Sequence, residues 1–153
     1  MNILGIGPLL AIVGGSAFGV LIVVETLFEL RIDLPSPWRE ISLLVGIGLI
    51  FIGVILWVLS AIAVERAFKH HRLETGGVYR LCRNPLYAAF IVFIVPGLAF
   101  ALFDPFVLLV SVVTGAAFKL RIGKEEEFLQ REYGEEYTRY AEKVAQLVPF
   151  VKV

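Results

Sequence analysis

The chain has 153 residues, 58% of them hydrophobic and 18% charged, with a formal net charge of zero. A soluble domain carries about a quarter charged residues, so this deficit, with the charges clustered, points to a single integral membrane domain over 1–153. The neutral balance argues against a nucleic-acid partner, and the lone Cys82 excludes an internal disulfide.

Residues 1–24 carry no charge. At about 1.5 Å per residue they can cross a ~30 Å hydrocarbon core. A membrane helix is expected over about 3–24, retained and not cleaved, because no basic segment or small-residue cleavage site accompanies it. Gly14, Gly15 and Gly19 suit close approach of a neighbouring helix; no P-loop lysine follows them. Residues 25–40 form a polar connector, more acidic than basic, holding Glu25, Glu29, Arg31, Asp33, Arg39 and Glu40. Pro35 and Pro37 interrupt any helix there, and Trp38 suits an interfacial anchor. A second uncharged run predicts a helix over about 41–64. Gly46, Gly48 and Gly53 mark close packing within it, and Trp57 reads as a lipid-facing or packing residue.

Residues 65–85 read as a polar loop. Arg66, Lys69, Arg72, Arg80 and Arg83 outweigh Glu65 and Glu74, so the positive-inside rule places the loop in the cytoplasm. Two further helices, about 86–103 and 106–122, are joined at Asp104-Pro105 as a tight hairpin. The second is short for a span and continues past Lys119, whose long stem can reach the interface. A re-entrant pair is the alternative. Four spans put both termini in the cytoplasm and bring residues 119–140 to the same side as residues 76–87. The apolar runs are continuous, so the spans are helices and not strands of a barrel.

The expected fold is therefore an all-α integral membrane protein with four transmembrane helices, plus a cytoplasmic C-terminal helical segment over 123–148. Phe128, Leu129, Tyr133, Tyr137, Tyr140 and Val144 form one apolar stripe at helical spacing, with a break at Gly134. A helix lying on the membrane surface is the simpler account of that stripe. Pro149 ends the segment, and the tail 150–153 is apolar enough to dock back.

The polar stretches carry the chemistry. Arg121 and Glu125 are four apart, on one helical face. They read either as a surface ion pair of little energetic worth or as a functional pair at the mouth of a membrane bundle. Glu125-Glu126-Glu127 lacks a histidine three or four residues on, and His70-His71 lacks a Glu-x-x-His partner, so neither reads as a metal site. Pro85 biases Asn84 toward extended backbone and suits the first turn of a helix. Asn84 thus reads as an N-cap. The functional addition is that free N–H groups at this helix start attract an anion, such as a ligand carboxylate. Tyr87, one turn in, can stack on or hydrogen-bond a ligand. Cys82 reads as an inert thiol, since nothing places a histidine beside it.

Gly-Val-Tyr-x-x-x-Arg-Asn-Pro-x-Tyr (77–87), a hydrophobic hairpin, and Glu-Glu-x-x-Leu-x-x-x-Tyr-Gly-x-x-Tyr-x-x-Tyr-x-x-x-Val (125–144) follow one another in this order. The pattern resembles the isoprenylcysteine carboxyl methyltransferase family, which is related to membrane phospholipid methyltransferases. The resemblance runs from about residue 65 to the C-terminus. It implies S-adenosylmethionine binding at the cytoplasmic face and a lipophilic acceptor entering from the bilayer. The implied cofactor contacts are His71, Arg72, Leu73, Glu74, Tyr79, Asn84, Pro85, Leu86, Tyr87 and Glu125. Arg121 is the implied acceptor contact, and Arg121 with Glu125 forms the implied catalytic pair. The family has histidine where this chain has Asn84, which can donate and accept hydrogen bonds but carries no titratable charge. A carboxylate acceptor is already ionised near neutral pH and needs no base, which favours O-methylation. Phospholipid amines, thiols, or a non-catalytic transport or interaction role are the alternatives. Oligomeric state is left open.

Overall fold

The computed structural model describes residues 6–29 and 37–148. Helix α1 spans Gly7–Phe28 and α2 spans Trp38–Lys69. Helix α3 spans Pro85–Leu102, and α4 spans Leu108–Tyr133. A short helix α5, Glu135–Lys143, follows. Short 3₁₀ turns lie at Gly77–Arg80 and Pro105–Val107. Helices α1 to α4 are each long and apolar enough to cross a membrane.

The first two helices outrun the expected spans. Helix α1 carries Glu25 inside its last turn, and α2 continues past Val64 through Glu65, Arg66 and Lys69. These are strong helix formers, and Lys69 pairs with Glu65 one turn back at 2.6 Å. Pro37 directly precedes α2 as its N-cap. The expected breaks and charges at Pro35, Arg31 and Asp33, the start of the first helix near residue 3, and Pro149 with the tail 150–153 lie outside the described residues.

Helix α2 packs on α3, and α1 packs on α4. The α2–α3 contact is close because a side chain is missing. A Cβ at Gly46 would stand 2.5 Å from the Ala101 nitrogen and 2.6 Å from the Gly97 oxygen. Ser42 Oγ donates to the Phe100 carbonyl at 2.7 Å along the same seam. Gly53 also lies in the contact, whereas Gly15, Gly19 and Gly48 face open space. Leu10 and Leu21 put one face of α1 into two apolar clusters: Leu10 meets Tyr87, Ile91, Phe118 and Ile122, and Leu21 meets Val95, Ala99, Val107 and Val110.

Helix α3 contains a π-helical stretch, Ala89–Ile94, just before Pro96. Proline has no N–H to return to the preceding turn, and a widened turn accommodates that loss. Ser111 Oγ of α4 donates to the Ile91 carbonyl at 2.9 Å, supplying a partner where no water is at hand. The hairpin behaves as expected: Asp104 Oδ1 accepts from the Phe106 amide at 2.9 Å, a side-chain cap for the turn.

The C-terminal segment is broken at Gly134, as the sequence suggested, and its helix ends earlier than residue 148. Helix α4 carries the chain to Tyr133, Gly134 turns it at φ 53°, and α5 ends at Lys143. Val144 is already extended. Most of the apolar stripe packs against the rest of the chain. Tyr137 and Tyr140 are buried with Tyr79, and Leu129, Tyr133, Leu73 and Val144 pack around them. Phe128 alone of the stripe stays exposed, at 39%.

Candidate functional site

The segments 76–87 and 119–140 meet. Their contact has two nodes.

The first node joins three distant parts of the chain. Tyr87 Oη donates to Glu125 Oε2 at 3.2 Å. The Ile6 amide donates to both, at 3.2 Å to the phenol oxygen and 3.3 Å to the carboxylate. Ile6 is the N-cap residue of α1 and has no capping side chain of its own, so Glu125 satisfies a donor that a helix start leaves free. The Tyr87 ring is buried and packs against Phe118 at 5.5 Å.

The second node is an ion pair with a backbone clasp. Arg83 and Glu126 pair at 2.8 Å with most of both side chains buried. The Arg83 guanidinium also reaches Tyr137 Oη at 3.4 Å. The Arg83 amide donates to the Ala145 carbonyl at 2.7 Å, and Asn84 Nδ2 to the Gln146 carbonyl at 2.9 Å. Gln146 Nε2 donates to Glu126 at 2.9 Å, while its Oε1 accepts from Lys119 Nζ at 2.8 Å. A cleft of about 540 Å³ between α4 and α5 is lined in part by Arg83, Glu126, Gln130 and Tyr137.

Asn84 occupies the N-cap position of α3, but its side chain does not cap. Pro85 has no N–H, and the Tyr87 and Ala88 amides already bond the Asn84 carbonyl at 3.1 and 2.9 Å. Little remains for the side chain to satisfy there, and it turns to Gln146. Pro85 and Leu86 open α3, with Pro85 buried and Leu86 packed beside the Tyr87 cluster.

Tyr79 lies between the nodes. Its carbonyl accepts from Tyr140 Oη at 2.7 Å, whereas its own hydroxyl makes no hydrogen bond to a described residue. Burial first, then the neighbouring Tyr140, Tyr87 and Glu125, raise its pKa, so the phenol stays neutral. Burial likewise pushes the Cys82 thiol up to about 11, against a smaller lowering by the Asn84 backbone. That is the signature of a structural thiol and not of a nucleophile.

The remaining expected residues are placed less centrally. Leu73 joins the tyrosine cluster. Glu74 Oε1 accepts from the Gly76 amide at 2.9 Å and lies 3.8 Å from Arg72. His71 is exposed with a positive φ of 47°. Among the described residues no hydrogen bond or ion pair links the 71–74 segment to Tyr87 or Glu125. Arg121 is exposed on α4, and among the described residues no ion pair joins it to Glu125. The expected pairing of the two is not made, because Glu125 turns inward to Tyr87 and Ile6. Arg83, Glu126 and Gln146 were not expected as site residues. Arg83 sits inside the first motif and Glu126 is the second glutamate of the other; Gln146 has no motif to mark it.

The family model for phospholipid methyltransferases matches residues 41–136, well over half of the 153-residue chain. The chain belongs to this methyltransferase family. Its similar relatives include a probable protein-S-isoprenylcysteine O-methyltransferase of Oryza sativa subsp. japonica, 35% identical over 118 residues, covering 71% of this chain and 61% of the relative. Protein-S-isoprenylcysteine O-methyltransferase A of Arabidopsis thaliana is 38% identical over 116 residues, covering 69% and 58%. The Schizosaccharomyces pombe protein-S-isoprenylcysteine O-methyltransferase is 33% identical over 94 residues, covering 60% and 39%. The chain thus spans about three fifths of the length of its plant relatives. No solved structure matches it significantly. Family membership and four helices of spanning character agree on a multi-pass integral membrane protein.

Proposed function

We propose that this chain transfers a methyl group from S-adenosylmethionine to a lipophilic acceptor at the membrane–water boundary. The observation that carries the reading is the meeting of the two motif segments at Tyr87 and Glu125, in a chain of a methyltransferase family.

The residues present fit such a cofactor. Glu125, the uncommitted Tyr79 hydroxyl and the Asn84 amide oxygen are acceptors or neutral aromatics, and Tyr79 and Tyr87 offer ring faces. A cationic ligand is favoured by both kinds of group. When bound, S-adenosylmethionine supplies an activated methyl on a sulfonium, so the chemistry is the cofactor's. The chain binds, orients and excludes water. Tyr79, Asn84, Tyr87 and Glu125 are the core of this cradle, with Pro85 and Leu86 setting the turn that presents Asn84 and Tyr87. Residues 71–74 form its outer edge.

The acceptor reading is O-methylation of a carboxylate, such as an isoprenylcysteine-like group. Arg121 is exposed one turn before Glu125, and a guanidinium can grip a carboxylate by two parallel hydrogen bonds. The basic residues at the end of α2 and in the following loop support a cytoplasmic site and cytoplasmic termini. The match to the phospholipid methyltransferase model keeps a second reading, N-methylation of a lipid amine. Incubation with methyl-labelled cofactor and either a prenylated cysteine or a phosphatidylethanolamine vesicle separates the two. Arg121→Ala should abolish transfer to the carboxylate while leaving cofactor affinity intact; undiminished turnover removes Arg121 from the acceptor site.

A further inference from the structure

Gln146 lies outside both motifs, yet it contacts residues from each. Three groups converge on it. Its carbonyl accepts from Asn84 Nδ2 at 2.9 Å, its Oε1 from Lys119 at 2.8 Å, and its Nε2 donates to Glu126 at 2.9 Å. Glu126 in turn holds Arg83 at 2.8 Å, and the preceding residue, Ala145, takes the Arg83 amide at 2.7 Å. The segment just past α5 is therefore fastened across the start of α3 by backbone and side chain together.

The polarity of these partners fixes both amides. A lysine ammonium only donates and a backbone carbonyl only accepts. Gln146 must then turn its oxygen to Lys119 and its nitrogen to Glu126. Asn84 must turn its nitrogen to Gln146. What Asn84 has left is Oδ1, an acceptor. Among the described residues it is neither hydrogen-bonded nor fully buried.

We propose that Gln146 is a positioning residue of this site, clasping the Asn84 amide so that Oδ1 is presented to a hydrogen-bond donor of the bound ligand. The proposal rests on the cofactor-site reading above. It also accounts for an asparagine serving at this position. The position needs one N–H for the Gln146 carbonyl and one acceptor for the ligand, and it needs no charge. A neutral imidazole meets the same two demands; a carboxylate meets only the second.

The test is a substitution series at Asn84 and Gln146 in the full chain in detergent micelles. Thermal melts are recorded without ligand, and S-adenosylmethionine is titrated by calorimetry. Asn84→His should keep the native melting temperature within a few degrees and bind within roughly threefold of native. Asn84→Asp and Asn84→Leu should each bind at least roughly tenfold more weakly. Rescue by histidine where leucine fails is the readout that a space-filling role would not produce. Gln146→Leu, which leaves the carbonyl but removes the side-chain bonds to Glu126 and Lys119, should lower the melting temperature by several degrees and weaken binding. Native affinity in Asn84→Asp, or histidine failing as badly as leucine, overturns the proposal. A native melt and native binding in Gln146→Leu overturn the side-chain part of it. If Asn84→Asp does not fold, the histidine–leucine comparison carries the test. Should the folded native chain bind no S-adenosylmethionine, the functional reading fails, and the ligand-free melts still decide whether the clasp exists.

Discussion

Tyr87 and Glu125, 38 positions apart, are joined by a 3.2 Å hydrogen bond from phenol to carboxylate. One residue opens α3 and the other lies in the second half of α4. The hairpin between them returns the chain so that the two motifs share one end of the bundle. The Ile6 amide completes the node from α1, so three of the four long helices contribute to a single polar cluster.

Tyr87→Phe isolates the hydrogen bond from the packing. The ring stays against Phe118, and only the hydroxyl is lost. The expected cost in stability is about 1 kcal/mol, because the contact is long and partly buried. Affinity for S-adenosylmethionine should fall several-fold while helix content by circular dichroism is unchanged.

Gly46 tests the bundle itself. A Cβ there collides with backbone atoms of α3 at 2.5 and 2.6 Å, and backbone cannot swing aside as a side chain would. Gly46→Val should destabilise by ~1–3 kcal/mol or more, read as a lower melting temperature in micelles. Gly48→Ala, two residues on, meets nothing within 4 Å and should stay within about 0.5 kcal/mol of native. Equal effects at the two positions would contradict the described α2–α3 contact.

Cys82 is fully buried, with its thiol raised from an ordinary 9.0 to about 11. Its neutral form is the one the fold favours. The associated stability is present below pH 9 and is lost as pH rises from 9 toward 11. Tyr137, pushed up to about 12 mainly by burial, acts in the same direction at higher pH. The folded chain should resist iodoacetamide at pH 8 and react after denaturation. The melting temperature should be insensitive to these two groups below pH 8.5 and fall above pH 9. Rapid labelling of the folded chain would contradict the burial.

The spans were legible because uncharged runs of membrane length admit few other structures. The Asp104-Pro105 hairpin and the Gly134 break were legible from turn chemistry alone. The meeting of the two polar segments followed from counting spans and from two spaced motifs. Other features were not legible because they depend on tertiary partners. A cap position does not say where Asn84 sends its amide once its own carbonyl has taken the nearby N–H groups. Helical spacing puts Arg121 beside Glu125 but cannot foresee that Glu125 turns to Tyr87 and an α1 amide. The stripe from Leu129 to Val144 looks the same whether lipid or a tyrosine cluster covers it. Pro96 was a visible signal for the widened turn in α3. Gln146, one polar residue near an apolar tail, carried none.

The central claim is that the Tyr87–Glu125 end of the bundle is a cofactor site. Calorimetric titration of S-adenosylmethionine into the native chain and into Glu125→Ala, both shown to be folded, tests it most directly. The native chain should bind at one site per chain, and Glu125→Ala should bind at least tenfold more weakly. No binding by the folded native chain, or equal binding by the two, would contradict it.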